Sequence, residues 1–172
     1  MLTNNWYEYF RISFGAADGG YNSSATVYDG SGTSYHPSCN DGLKSYLFPH
    51  EAKDVKTTHD YGVIFGDGTV APAKTDYKLS GNIISTISNT TSEFSHRTSG
   101  EKTTFISTFV LRNTGSEPIT ISEVGWVGSF SVSGTTSSKR FLLDRALLDS
   151  PVTIPAGERG MVVYKRSVTI PA

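Results

Sequence analysis

The sequence contains a single cysteine and few charged residues. One thiol, Cys39, excludes an intramolecular disulfide framework. Lys, Arg, Asp and Glu make up only 18% of the 172 residues, less than the roughly one quarter that is usual in soluble domains. The formal net charge is −1, whereas a surface that binds nucleic acid needs clustered positive charge. We therefore expect no nucleic-acid partner.

Long hydrophobic runs are also missing. No stretch approaches the roughly 18 consecutive apolar residues of a membrane-spanning helix. The first ten residues, MLTNNWYEYF, lack the basic region and apolar run of a signal peptide. We expect a chain that is made in a cytoplasm and has no membrane partner.

Hydroxyl residues and glycine dominate the composition, with 23 Ser, 20 Thr and 17 Gly against 9 Ala. Val, Ile, Thr, Tyr and Phe favour strands, and scarce alanine disfavours helices. The length suits one domain, residues 1–172. Strand-like segments recur about every 10 to 15 residues between Gly- and Pro-containing turns, which predicts an all-β, antiparallel β-sandwich of the Ig-like or jelly-roll-like kind.

Two regions of the chain differ in amino-acid composition. Residues 1–60 are rich in aromatic residues and glycine, and they predict strands separated by long loops in the N-terminal third. Residues 61–172 predict a regular β scaffold. Alternating residues predict a strand at residues 7–14, and the segments 61–65 (YGVIF) and 82–88 (NIISTIS) also predict strands.

Two antiparallel pairs are expected in the second region. The clearest strand, residues 102–112, is predicted to form a hairpin with residues 119–126 across a turn that contains Pro118. Residues 151–154 are predicted to pair with residues 160–168. The segment at 140–148 is apolar and fits either a strand or a short helix.

The sequence contains only weak motifs for a metal site or for catalysis. The best metal candidates are His36, Cys39, His50 and His59, but structural zinc sites usually have two tight ligand pairs, and this spacing does not provide them. We therefore predict no metal, no cofactor and no catalytic residues. The G-x-S-x-G motif of a serine nucleophile is missing, and sequence alone does not decide whether two carboxylates form a glycosidase pair.

The N-terminal region has the composition of binding loops. Tyrosine and tryptophan offer large contact area, while Ser, Gly and Asn give adaptable hydrogen bonds. These aromatic residues either fill a core or subunit interface or form a surface for a ligand. The interface or ligand candidates are Trp6, Tyr7, Tyr9, Tyr21, Tyr28 and Tyr35.

Several segments of the second region match patterns of a known group in the same order. They are residues 63–72 (VIFGDGTVAP), 76–79 (DYKL), 109–115 (FVLRNTG), 119–125 (ITISEVG) and 142–158 (LLDRALLDSPVTIPAGE), and residues 2–7 (LTNNWY) look like the start of some members. The chain thus resembles small structural proteins of tailed bacteriophages and prophages, described as virion, tail-fibre-like or head-associated. The resemblance is strong over about residues 61–170.

The resemblance implies a particle component and brings no catalytic residues with it. We expect a non-enzymatic virion structural protein, made in the bacterial host cytoplasm, that assembles with copies of itself and with other virion proteins on the capsid, neck or tail. Symmetric oligomers are the usual solution for such parts. The alternatives are a module that binds host-surface carbohydrate through exposed aromatic residues and a small glycan- or peptidoglycan-cleaving enzyme.

Overall fold

A computed structural model describes residues 1–8, 25–37, 55–58, 62–100, 102–130, 132 and 139–169. Most of this part is β-structure, and residues 4–8 form one helical turn, α1. Within the described ranges, no helix combines the length and the apolar character needed to cross a membrane. The strands are β1 Val27–Tyr28, β2 Ser34–Tyr35, β3 Val55–Lys56, β4 Gly62–Gly66, β5 Ile87–Ser99, β6 Lys102–Asn113, β7 Ile119–Phe130, β8 Lys139–Ile154 and β9 Arg159–Thr169.

In the described part of the chain, the strands form two larger sheets and one small one. The four-stranded sheet has the order β3-β4-β7-β8, and the three-stranded sheet has the order β5-β6-β9. Strands β1 and β2 pair separately. All pairings are antiparallel except that of β3 with β4, which is parallel. The expectation of an all-β chain is therefore confirmed, but the four-stranded sheet is mixed rather than antiparallel.

One hydrophobic core contains side chains from both larger sheets. Phe65 of β4 meets Phe109 of β6 edge to face, with ring centroids 5.5 Å apart. The same core includes Trp126 of β7, Phe141 of β8 and Val162 of β9. These apolar side chains lie on alternate positions of their strands, and their removal from water stabilises the two sheets together.

The four-stranded sheet is covered on its other face as well. Ile64 of β4, Val127 of β7 and Leu142 of β8 form a second, smaller cluster with Leu79 from the connection between β4 and β5. Ile83 of the same connection packs against this cluster. Residues 67–84, here called the covering loop, therefore bury the face of the sheet that points away from the main core.

Both predicted hairpins are wrong. Strand β6 pairs with β5 and β9, while β7 pairs with β4 and β8, so the turn at residues 114–118 leads from one sheet to the other. Likewise β8 and β9 belong to different sheets. The apolar side chains of β6 and β7, and those of β8 and β9, meet across the main core instead of lying side by side in one sheet.

Other expectations differ in detail. The predicted strand at residues 7–14 begins in α1, since residues 7 and 8 are helical, and residues 9–14 lie outside the described part. Strand β5 begins only at Ile87, because residues 82–86 are loop apart from one bridge between Ile83 and Gly66. Residues 140–148 are strand and belong to β8. The single-domain assignment stays a prediction.

Candidate functional site

The most concentrated polar site centres on Glu123, which lies in β7 among apolar neighbours. The pairing of β7 with β8 shifts register between Ile121 and Glu123. Ile121 and Val124 consequently both face the main core, and Glu123 points to the opposite side, beneath the covering loop. The side chain of Glu123 is completely buried.

Five donors satisfy the Glu123 carboxylate. Oε1 accepts hydrogen bonds from the backbone N–H groups of Gly68 (3.2 Å) and Gly81 (2.7 Å). Oε2 accepts from the N–H and the hydroxyl of Ser80, both at 3.1 Å, and from Nε of Arg145 at 2.8 Å. A buried carboxylate is tolerated only when it is paired and hydrogen-bonded, and this one is fully satisfied.

Arg145 of β8 extends the network. Its Nη1 donates to Oδ2 of Asp76 at 2.6 Å, and its Nη2 donates to the carbonyl of Val70 at 2.5 Å. Asp76 in turn accepts from the N–H of Ala73. Burial alone would lower the pKa of Arg145, but hydrogen bonds and attraction from Glu123 and Asp76 raise that pKa above its ordinary value. The guanidinium thus ties two parts of the covering loop to the sheet.

Two glycines let the loop approach Glu123 so closely. A Cβ atom on Gly68 would lie 2.0 Å from Oγ of Ser80 and 2.2 Å from Oε1 of Glu123. A Cβ on Gly81 would lie 2.2 Å from Oδ1 of Asp67 and 2.3 Å from the nitrogen of Gly68. The two backbones therefore meet at a distance that excludes any larger residue.

A second polar junction holds the point where the chain crosses between the sheets. The buried Asn113, at the end of β6, donates from Nδ2 to the carbonyls of Glu117 (2.8 Å) and Ile154 (3.1 Å). Its backbone N–H donates to the carbonyl of Glu158, and its carbonyl accepts from the N–H of Gly157. The side chain, the N–H and the carbonyl of this one residue thereby join the turn after β6 to the turn between β8 and β9.

A third polar group, Asp144, lies between the two larger sheets. Its Oδ1 is 2.8 Å from the amino group of Met1, and its Oδ2 accepts a 2.5 Å hydrogen bond from the hydroxyl of Tyr164. Nε of Arg166 lies 3.8 Å from Oδ2. The Arg166 guanidinium also covers the rings of Trp126 and Tyr164, at 4.3 and 4.9 Å from their centroids.

Tyr164 is held in its neutral form. Burial is the largest cause of a pKa well above the ordinary tyrosine value, since a phenolate would be desolvated. Arg166 works against this shift, whereas the charge of Asp144 and its hydrogen bond raise the pKa further. The phenol is therefore suited to donating a structural hydrogen bond and not to proton transfer near neutral pH.

The predicted aromatic candidates divide into two classes. Trp6 and Tyr35 are partly buried and pack against the main core. The ring of Tyr35 meets Phe141 edge to face, with centroids 6.0 Å apart. Tyr9 and Tyr21 lie outside the described residues. Trp6 and Tyr35 therefore contribute mainly to packing.

Tyr7 and Tyr28 are exposed, with 45% and 43% of their surfaces accessible. The amide of Asn5 binds the backbone of Tyr28 in both directions, with Nδ2 donating to its carbonyl (2.8 Å) and Oδ1 accepting from its N–H (2.7 Å). Nζ of Lys74 lies 5.5 Å from the centroid of the Tyr7 ring. Asn5 thus fixes α1 beside β1 and keeps both exposed tyrosines at the same junction.

A third tyrosine extends this region. Gly32, in the turn after β1, approaches Tyr77 so closely that an added Cβ would lie 3.3 Å from Cζ of the ring. Nζ of Lys78 lies 5.9 Å from the centroid of the same ring. Tyr7, Tyr28, Lys74, Tyr77 and Lys78 thus lie on segments that contact one another, and we call these five residues the aromatic surface.

The metal candidates are not brought together in the described part of the chain. His36 is exposed, and its Nδ1 lies 2.8 Å from the carbonyl of Ala25, which requires that Nδ1 carry the proton. Cys39, His50 and His59 fall outside the described residues. Among the described residues, no three His, Cys, Asp or Glu side chains are grouped so that they could hold a metal ion.

Comparison with family models, curated proteins and solved structures gave no match.

Sequence reasoning missed the network around Glu123. The available signal was a lone acid inside the otherwise apolar and small residues 119–127, because a carboxylate in such a strand must find buried partners. Asp144 and Arg145 carried a similar signal, since both interrupt the apolar segment at 141–148. Their partners were not predictable, because they come from distant segments.

Replacing Glu123 by glutamine is expected to lower the free energy of unfolding by about 3–5 kcal/mol, since it leaves the buried Arg145 with Asp76 as its remaining counter-charge and directs an NH2 group at backbone donors. Urea unfolding measures the loss. The matched control is Glu117→Gln, which changes an exposed acid in the turn after β6 and should alter stability by less than about 0.5 kcal/mol. Equal losses in the two variants would show that Glu123 is not a stabilising centre.

Tyr164→Phe is expected to make stability less sensitive to alkaline pH. Because the pKa of Tyr164 is raised in the folded state, this tyrosine contributes its full stabilisation below the unfolded pKa of about 10. The contribution is lost as the pH rises from there towards the folded pKa. The slope of unfolding free energy against pH above 10 should therefore be less steep in the variant, by up to about 1.4 kcal/mol per pH unit. Urea unfolding at several pH values measures it, with Tyr28→Phe on an exposed ring as control. Identical slopes for wild type and Tyr164→Phe would contradict the assignment.

Proposed function

We propose that this chain is a non-enzymatic structural protein of a tailed bacteriophage particle, which assembles with copies of itself and docks on the capsid, neck or tail. The observation that carries the proposal is the position of the residues on which the resemblance to phage proteins rests. Gly68, Asp76, Glu123 and Arg145 come from four separate matching segments, and all four meet in one buried network. Because the matching residues form a structural network, they favour a fold that this chain shares with the phage proteins over a reaction that it shares with them.

We further propose that the two larger sheets form a β-sandwich of the Ig-like or jelly-roll-like kind. The shared core supports this architecture, because Phe65 and Phe109 come from different sheets and are in contact. Sheets that pack face to face bury one side of each strand in this way. A rigid unit of this kind suits a repeated particle component.

The engagement of the buried acids supports a non-enzymatic role. Glu123 is saturated by donors from the protein, and Asp144 binds Tyr164 and the Met1 amino group. A glycosidase needs two carboxylates that face one substrate across a cleft, at about 5–10 Å from each other. Neither buried acid is free to act in that way.

Location in the particle tests the proposal. Particles of the phage or prophage that encodes the chain are purified by density gradient, labelled with antibody against the purified protein, and viewed by electron microscopy. We expect label at a fixed position on intact particles and a fixed copy number by quantitative mass spectrometry. Antibody pre-absorbed with the protein is the control. Absence of the protein from purified particles, with the protein present in the lysate, would refute the proposal.

A second candidate function is recognition of host-surface carbohydrate. The exposure of Tyr7 and Tyr28 favours it, because aromatic faces provide flat, rigid contact area for a ligand. Lys74 and Lys78 add positive charge at the same surface. The aromatic surface would then be the binding site.

For the second candidate, Tyr7→Ala and Tyr28→Ala are each expected to weaken binding of polysaccharide extracted from the host surface by about two- to tenfold, the effect of losing one aromatic contact. Calorimetry or biolayer interferometry measures the affinity. Met161→Ala, which removes an exposed apolar side chain on another strand, is the control. Binding that neither tyrosine variant changes would refute this candidate.

A further inference from the structure

Positive charge is concentrated on the outer side of the three-stranded sheet, which is the side that points away from the main core. On the central strand β6, Phe109 and Leu111 are buried in the core, so the even-numbered residues from 102 to 112 point outwards. The pairing registers identify the outward residues of β5 and β9. The charged residues that point outwards in the described part of the sheet are one acid, Glu93, and five bases, Arg97, Lys102, Arg112, Arg159 and Lys165, and all six are exposed.

The bases form two groups at opposite ends of the sheet. Arg112 of β6 pairs directly with Arg159 of β9, near the β8–β9 turn. Arg97, Lys102 and Lys165 lie towards the other end, within about 14 Å along the strands, which is four residues of strand rise. About 20 Å, or six residues of strand rise, separates Lys165 from Arg159 along β9.

Neither basic group is neutralised within the described part of the chain. None of the five bases there forms an ion pair with a carboxylate. Like charges directly opposite each other destabilise a sheet, as Arg112 and Arg159 are. Nε of Arg112 donates to the carbonyl of Gly157, which satisfies a hydrogen bond and leaves the charge uncompensated. The two groups therefore favour a partner that supplies negative charge.

An apolar area lies between the two basic groups. Register pairing places Met161 beside Val110 and Val163 beside Thr108. Met161 is 59% accessible and Val163 is 39% accessible. Glu93 lies next to this area at the β5 edge of the sheet. Exposed apolar side chains with charged residues around them are typical of a surface that binds another protein.

We infer that the outer side of the three-stranded sheet binds an acidic surface of a different protein, whose carboxylates meet the two basic groups and whose apolar centre covers Met161 and Val163. The inference rests on the proposed docking on a phage particle and specifies the docking surface and the charge of its partner. Complementary charge of this kind steers association and excludes partners of the wrong sign.

The distribution of charge favours this partner over three others. A second copy laid face to face on this side would bring bases against bases. Double-stranded DNA carries about one negative charge every 1.7 Å, and its phosphates would lie unpaired over the apolar area. Sugars stack on aromatic rings, and none of the described outward side chains is aromatic.

Charge reversal tests the sign of the partner. Each variant is expressed during growth of phage whose own gene for this chain carries a stop codon, and quantitative mass spectrometry gives the ratio of chain in purified particles to chain in the soluble lysate. The double variants Arg112→Glu/Arg159→Glu and Arg97→Glu/Lys165→Glu should each lower this ratio at least about tenfold, because each sets acid against acid. Glu93→Lys should leave the ratio unchanged or raise it, because it adds a base to the same side.

A matched control separates the docking surface from a change in net charge. Lys74→Glu/Lys78→Glu reverses two exposed bases on the covering loop and should leave the ratio unchanged. Arg112→Gln/Arg159→Gln should lower the ratio by less than the reversal does. Circular dichroism of the purified variants checks that the fold is kept.

Cross-linking identifies the protein that lies on this side. A carbodiimide condenses an amine with a carboxylate that touches it. In intact wild-type particles we expect Nζ of Lys102 or Lys165 to be joined to Asp or Glu side chains of another particle protein, as mapped by mass spectrometry of the linked peptides. Links that lead mainly to a second copy of this chain, or links at neither lysine, would overturn the inference.

The outcomes also separate this inference from the proposed function. Absence of the wild-type chain from particles would refute both. Presence of the chain in particles, with a ratio that neither double reversal lowers or that Glu93→Lys lowers as much as they do, would overturn this inference alone. An equal loss in Lys74→Glu/Lys78→Glu would overturn it as well, because the effect would then not belong to the outer side of the sheet.

Discussion

The carboxylate of Glu123 lies buried between β7 and the covering loop, and the arrangement of the loop depends on it. A charge in that position is costly unless it is paired and hydrogen-bonded. Two backbone amides on one oxygen, and Ser80 and Arg145 on the other, meet that requirement. The loop contains little regular strand pairing, so these hydrogen bonds supply the local order that a sheet would otherwise provide. Gly68 and Gly81 follow from the same constraint, since side chains there would fill the space of the carboxylate and its donors.

The covering loop packs on the four-stranded sheet, and this gives the two larger sheets different roles. The four-stranded sheet has apolar contacts on both faces, which explains why every residue of β4 is buried. Among the described residues, the three-stranded sheet packs against apolar side chains on its core side, and its outer side keeps Met161 and Val163 accessible. Asn113 maintains this division, because its hydrogen bonds fix the crossing from one sheet to the other. The chain thereby has a well-anchored side and a side available for contact.

The two exposed regions differ in chemistry. The aromatic surface combines tyrosine rings with two lysines, which suits a ligand that offers both flat apolar area and polar groups. The outer side of the three-stranded sheet combines the exposed side chains of Met161 and Val163 with charged residues, among them Arg112 on the central strand.

Hydrophobic alternation in the sequence determined the strands themselves. Residues 102–113 form a strand where alternation predicted it, because a strand with one buried face requires period-two alternation wherever it lies. Residues 62–66 form the strand expected at 61–65, but this strand is buried on both faces and does not alternate. Alternation does not state which strand lies next to which, since an apolar face is buried equally well by a neighbour in another sheet. Tertiary structure alone therefore decided that β6 and β7 belong to different sheets. It also decided the roles of Glu123, Asp144 and Arg145, because a buried charge is specified by its partners, and those partners come from segments that are distant in the sequence and meet only in the folded chain.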